Sequence, residues 1–316
     1  MNININIQTF YTEDGTLLRG ILSKGKEENE TVVVHINGRG SGQFNNMTTR
    51  MRNFYIQNNI DFFSYDQRFW QYGKKIFKKE EDVGKYSVED AQKDLKGALK
   101  FVKELGYQNI ILEGHSLGTE IATKYLNNNF DDKISRLILM SPSDHIEAMK
   151  NLPKTYKEIT MKELTEAYDK ALENVRQNKP DEIVLDKGML GVYSAKQFLE
   201  CNTKNGGFNQ FSYEDNNTFP NITVPVTIIL GSKDPLLSNI SKAEQYFNHA
   251  FSNGKTFVFD TSHTLEGNDV LEVLQDTLPK KQNETLLLHQ KGKINKIFIL
   301  LSVLFFLSVL ILVFNH

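Results

Sequence analysis

Three residues in this chain could together cleave an acyl bond: Ser116 within "GHSLG", Asp234 within "ILGSKDPLL" and His263 within "FVFDTSHTLEG". A serine hydroxyl is a poor nucleophile until a base takes its proton, and imidazole does this near neutral pH. A carboxylate on the other ring nitrogen fixes the tautomer and stabilises the imidazolium that forms. Each of the three follows a short apolar, β-branched run ("NIILEG", "PVTIILG", "KTFVF") and so stands just past the C-terminal end of a strand. Serine, then aspartate, then histidine is the chain order expected where the nucleophile sits on a strand-to-helix elbow.

The pentapeptide alone recurs by chance, and a serine before a helix also serves as an N-cap. Its context decides: "NIILEG" supplies a strand and "LGTEIATKYL" a helix, while Gly114 and Gly118 leave room for a strained turn with strand and helix close together. The amide of Leu117 then points from a helix N-terminus toward a developing oxyanion. Other acids need weighing. Asp144, after "LILMSPS", stands where some hydrolases place the triad acid; the turn around Asp234 matches better. Asp260 is only three residues from His263 but is expected within or at the end of its strand, pointing elsewhere, and Asp66 in "SYDQR" reads as a structural loop residue. His35, His115 and His145 show no partner pattern, and the side chain of His115 is expected to point into the packing of the elbow. Cys201 reads as a half-buried, unreactive thiol.

These residues need a sheet to align them, and the chain alternates strand-like and helix-like segments. A hairpin turning at Asp14-Gly15 comes first, followed by a buried strand over 31–38. A helix is expected over 44–58 and a strand over 60–67. Val88, Ala91, Leu95, Ala98, Leu99 and Val102 then recur at helical spacing. Strands at 109–114, 135–143, 225–234 and 255–263 complete an eight-stranded, mostly parallel sheet, with helices near 240–250 and 266–278 covering its faces. Residues 144–220 interrupt that rhythm with a charged helix near 160–178 and an Asn- and Gly-rich piece. They read as a cap inserted above the carboxyl ends of the strands.

With these pieces in place the chain resembles the α/β-hydrolase superfamily over about residues 5–280. The likeness is carried by "EDGTLLRGIL", "VVVHINGRGSG", "FFSYDQRFWQYG", "LEGHSLGTE", "LGSKDPL" and "DTSHT". A looser similarity to the fungal siderophore (fusarinine-type) esterases rests on "SVEDAQKDLKGALKFVKELGYQNIILEGHSLGT", "LMSPSDHIEAM" and "YSAKQFLECNTKNGGFNQFSYED". The resemblance implies hydrolysis of an ester, bulky ones included. It also exposes a departure. The loop after the first long parallel strand usually reads His-Gly, and here it reads Asn37-Gly38-Arg39-Gly40, with His35 two residues too early. By position, the Arg39 amide would join that of Leu117 in the oxyanion hole. Its side chain reads as a solvated surface arginine, with recognition of an anionic substrate as the alternative.

Composition narrows the setting. At 316 residues and 40% hydrophobic the chain can bury a large core, and a net charge of −2 gives no electrostatic footprint for nucleic acid. A single cysteine excludes an internal disulfide and a thiolate metal site. There is no H-E-x-x-H, paired His/carboxylate spacing or P-loop, so neither metal nor other cofactor is expected. A serine at the elbow, rather than an aspartate, argues against epoxide-hydrolase and dehalogenase chemistry. The opening residues lack the basic and apolar segments of a secretory signal. Near the other end, Ile297–Phe314 is an uncharged run that as a helix would span about 27 Å, close to the ~30 Å hydrocarbon core of a bilayer.

The expected organisation is a hydrolase domain over 1–280, a polar, basic linker over 281–293 and a single transmembrane anchor over 294–316. Lys291, Lys293 and Lys296, on the domain side of the apolar run, favour a cytoplasmic catalytic domain. The leading expectation is a membrane-anchored serine hydrolase of esterase or lipase type, acting on a small or lipid-like carboxylic ester or thioester. A non-catalytic binding protein on the same fold, and a peptidase or amidase using the same triad, are the alternatives.

Overall fold

The computed structural model describes residues 5–69, 84–187, 191–204 and 206–278. The chain divides into a compact unit spanning Met1–Leu271 and a second, Glu272–His316, of which residues 272–278 are described. Among the described residues no helix is long and apolar enough to cross a membrane; the run Ile297–Phe314 lies outside them.

Two N-terminal strands, β1 (Ile5–Tyr11) and β2 (Leu17–Ser23), form an antiparallel hairpin. Its turn places Gly15 at φ +76°, in the left-handed region. β3 (Thr31–Ile36), β4 (Asp61–Tyr65), β5 (Asn109–His115), β6 (Ile134–Met140), β9 (Val226–Gly231) and β10 (Gly254–Phe259) run parallel. The eight-stranded sheet has the order β1-β2-β4-β3-β5-β6-β9-β10. Val32, Val33, Val34, Ile110, Ile111 and Leu112 are buried on both faces of the central strands, which is why these strands read as continuous apolar runs rather than alternating ones.

Helices α1 (Asn46–Gln57), α2 (Val88–Glu104), α3 (Leu117–Asn128), α7 (Ile240–Ala250) and α8 (Asn268–Thr277) alternate with these strands. α2 begins on a capping box in which Ser87 accepts from the Asp90 amide and Asp90 reaches back to that of Ser87, worth about 1 kcal/mol. Its apolar positions are buried at the spacing read from the sequence. Beside it Arg68, in the loop after β4, donates to Asp94 (2.6 Å), Asp14 (2.8 Å) and Asp90 (3.0 Å). One guanidinium fork thereby ties the hairpin turn, the β4 loop and α2 together.

Between β6 and β9 lie α4 (His145–Thr155), α5 (Met161–Arg176), an antiparallel pair β7 (Ile183–Lys187) and β8 (Gly191–Ser194), and α6 (Ala195–Asn202). The charged helix expected near 160–178 is α5, capped by a Thr160–Glu163 box. The rest of the insertion is more regular than the sequence suggests. Cys201 is fully buried rather than half-buried, and burial pushes its thiol up to about 12, so it is inert at neutral pH.

Candidate active site

The residues singled out in the sequence gather where β3, β5, β6, β9 and β10, five neighbours in the sheet, end. In a parallel sheet that edge is where a ligand crevice forms. β5 runs into α3 through Ser116, held at φ 52°, ψ −123°, a conformation that side chains other than glycine rarely adopt. Its amide donates to the Met140 carbonyl (2.9 Å), and its side chain is half-buried. A Cβ on Gly114 would come within 2.3 Å of the Gly118 carbonyl oxygen, and one on Gly118 within 2.2 Å of that of Ile36. The two glycines are therefore what lets α3 lie against β5 and β3. Among the described residues the Ser116 hydroxyl has no hydrogen-bond partner. Catalytic hydrogen bonds often close only once substrate is bound.

His263 and Asp234 meet as the sequence order requires. His263 Nδ1 stands 2.6 Å from Asp234 Oδ2, and the other carboxylate oxygen accepts from the Leu236 amide at 2.9 Å. Asp234 is buried and His263 half-buried, so the carboxylate is shielded from solvent while the ring stays partly exposed. Asp144 is engaged differently. Oδ1 caps α4 by accepting from Ile146 and Glu147, and Oδ2 accepts from the Tyr213 amide. Asp260 is exposed and paired with Lys233 at 2.8 Å, and Asp66 holds the Gln43 amide at 3.1 Å.

Three histidines without a visible partner in the sequence all have one in the structure. His115 Nε2 lies 3.0 Å from the His263 carbonyl, with the two rings 5.1 Å apart. Ser141 Oγ donates to the same carbonyl at 2.9 Å, so two groups hold the backbone of His263. His145 Nε2 lies 3.6 Å from Oε1 of the buried Glu120, one turn along α3 from Ser116. Burial holds His115 down to about 3 and His145 to about 4, keeping both rings neutral, and burial also raises Glu120 well above the usual carboxylate range. His35 pairs with Glu113 at 2.7 Å inside the sheet. Arg50, on α1, donates to the carbonyls of Thr264 and Leu265 and ties down the loop that carries His263. Ser141 could have been noticed as the residue ending the strand next to β5; nothing in the sequence marks Arg50.

The loop after β3 turns through Gly38–Ser41, with Ser41 N–H donating to the Gly38 carbonyl (3.1 Å) and Gly40 at φ +67°. A left-handed residue at the third position is the mark of a type II turn, and it puts Arg39 second. A Cβ on Gly38 would lie 3.0 Å from Ser116 Cβ, so this loop abuts the elbow. Leu117 opens α3, where amide groups lack intrahelical acceptors. The Arg39 side chain is half-buried and engaged by the insertion. Its guanidinium stacks 3.6 Å over the Tyr193 ring and donates to the Val192 carbonyl and to Gln197 Oε1 (3.1 Å). It fastens the loop to the insertion.

Fold and site define a class: the chain belongs to the alpha/beta hydrolase fold family, whose model matches residues 56–264 and so takes in Ser116, Asp234 and His263. Among solved structures it is similar to the siderophore hydrolase EstB of Aspergillus fumigatus, at 13% identity and TM-score 0.62 over 86% of this chain and 96% of that one. It is also similar to Est1E of Butyrivibrio proteoclasticus with ferulic acid bound, at 14% identity and TM-score 0.59 over 85% and 95% of the two chains. An esterase of Pyrococcus furiosus aligns at 16% identity and TM-score 0.54 over 83% and 84%. At these identities the likeness is one of fold. No curated protein matches the chain in sequence.

Proposed function

We propose that the chain is a serine hydrolase that cleaves a carboxylic ester or thioester through an acyl-enzyme on Ser116. The observation that carries this is the 2.6 Å contact of His263 Nδ1 with the buried Asp234, on the same sheet edge as a serine held at φ 52°. His263 Nε2 takes the hydroxyl proton as Ser116 Oγ bonds to the substrate carbonyl carbon. The carbonyl oxygen becomes an oxyanion facing the amides of Leu117 and Arg39. Collapse breaks the bond to the leaving alcohol or thiol, which receives the proton from His263. Water, deprotonated by the same ring, then releases the acid and restores Ser116.

Support for an ester substrate comes from the neighbours, which include a siderophore hydrolase and an esterase, together with the sequence resemblance to siderophore esterases. A fluorophosphonate probe is expected to label the wild-type protein and not Ser116→Ala. Unlabelled, folded wild type would sink the reading. We further propose that Ile297–Phe314 anchors the chain in a membrane with the hydrolase domain on the cytoplasmic face, which favours lipid-like esters. Support is its uncharged length, with lysines on the domain side. Alkaline carbonate should leave the full chain in the membrane pellet and release a chain ending at residue 280. Release of both would defeat the anchor.

A further inference from the structure

The turn that carries Arg39 rests on a hydrogen-bonded chain that begins inside the sheet. Glu113 is three residues before Ser116 on β5, and His35 is its register partner on β3. Tyr55 OH donates to Glu113 Oε2, and one proton lies between Glu113 Oε1 and His35 Nδ1 at 2.7 Å. On the other side of the ring, His35 Nε2 is 3.4 Å from Thr48 Oγ1, which is 2.5 Å from Asn37 Oδ1. His35, Glu113, Tyr55 and Thr48 are completely buried, and Asn37 nearly so. The Asn37 side-chain amide donates to the Tyr65 carbonyl (3.3 Å), and its own carbonyl accepts from Gln67 Nε2 (3.1 Å). The next residue is Gly38, against Ser116.

Counting protons along the chain fixes its direction. Asn45 caps α1, its Oδ1 accepting from the Thr48 amide at 2.8 Å, so its Nδ2 is the donor that meets Asn37 at 3.2 Å. Asn37 must therefore present its oxygen there, which agrees with its nitrogen facing the Tyr65 carbonyl. Thr48 has one hydroxyl proton, and the shorter contact, to that oxygen, takes it. The Thr48 oxygen is then an acceptor toward His35, so His35 Nε2 carries a proton. Reversing any one bond would set two donors or two acceptors face to face in a dry interior, at a cost of about 1–3 kcal/mol.

We propose that His35 is a positioning residue of the oxyanion hole: through Thr48 it fixes Asn37, and with it the peptides of Gly38 and Arg39 beside Ser116. This rests on the reading of that turn as the oxyanion loop. Asn37, where His-Gly is usual in the superfamily, is the residue this buried chain holds, and His35 supports it from two positions earlier. Displacement of a positioned group by about an ångström costs on the order of 100-fold in rate.

Thr48→Val cuts the chain without disturbing the His35–Glu113 pair, and Thr48→Ser retains the hydroxyl. With p-nitrophenyl acetate and full-length protein, Thr48→Val is expected to lower kcat by about 10- to 100-fold with KM within about twofold, the pattern of an interaction made in the transition state. Thr48→Ser should restore most of the rate. Wild-type kcat in Thr48→Val, or equal impairment in both variants, overturns the proposal. In 15N-histidine-labelled wild type, the resonances absent from His35→Gln should include a protonated Nε2, and a bare Nε2 overturns it even if Thr48→Val fails to fold. Wild type that neither turns over the ester nor takes the fluorophosphonate defeats the reading of Ser116 instead, a result distinct from an active wild type with an equally active Thr48→Val.

Discussion

Asp234 gives one carboxylate oxygen to the Leu236 amide and the other to His263, whereas Asp144 gives both of its oxygens to backbone amides of α4 and of Tyr213. An acid that orients an imidazole needs an oxygen on the ring, so the two aspartates should separate cleanly on mutation. Asp234→Asn would present an amide to His263 Nδ1, turn the ring to the wrong tautomer and lower the acylation rate by about 10⁴-fold with the fold intact. Asp144→Ala would leave acylation within about threefold of wild type but cost about 1–2 kcal/mol of stability, the loss of a helix cap and of the Tyr213 contact. Fluorophosphonate labelling rates and urea unfolding read the two effects separately. A normal labelling rate in Asp234→Asn would transfer the role to another acid. Ser116, Asp234 and His263 could be singled out in the sequence because each follows an apolar strand. The partners of His35 and His115 could not, because sheet pairing and loop closure bring them from 78 and 148 residues away.

At the scale of elements, the contact of β5 with α3 sets the position of Ser116, and it has no slack. Gly118→Ala would force its methyl group to 2.2 Å from the Ile36 carbonyl, so helix or strand must move. The expected cost is about 1–3 kcal/mol of stability, with a labelling rate that falls further than Ser116 exposure alone would dictate. Thermal unfolding and labelling on the same preparation test this, and a variant matching wild type in both would mean that the turn relaxes freely. The central strands of the main sheet could be read from the sequence because buried parallel strands are unbroken apolar runs, the hairpin because of its Asp-Gly turn, and α2 because it keeps a full helical period. The insertion could not. α4 contains Pro153, α6 has 8 residues, and β7 and β8 have 5 and 4, all too short or interrupted for a period to show. Only α5, 16 residues long and carrying its capping box, stood out. For the same reason the anchoring of Arg39 on Tyr193 was not legible: it depends on β8, which the sequence does not announce.

For the molecule as a whole, carboxylates buried in the interior make stability depend on pH even though the net charge is only −2. Glu200 on α6 is the simplest to follow. Burial pushes it up from 4.5 to about 7, against the opposing pull of the Val88 amide at 2.9 Å and of Lys196 at 4.0 Å. Between those two values the folded chain holds a proton that the unfolded chain has released. The folded state thus binds more protons, and stability falls as pH rises through that window. Below the window both states are protonated and the effect is absent; above it the full cost remains. Glu200→Gln keeps the acceptor for Val88 and removes the charge, so its stability relative to wild type should rise from pH 4.5 to pH 8 and level off there. Urea unfolding of both proteins across that range measures the difference directly, and a difference that stays flat or falls with pH would show that Glu200 is ionised in the fold at little cost. The same carboxylate joins α6 to the start of α2, so the pH response of the variant also reports how firmly the insertion is attached to the helix beside it.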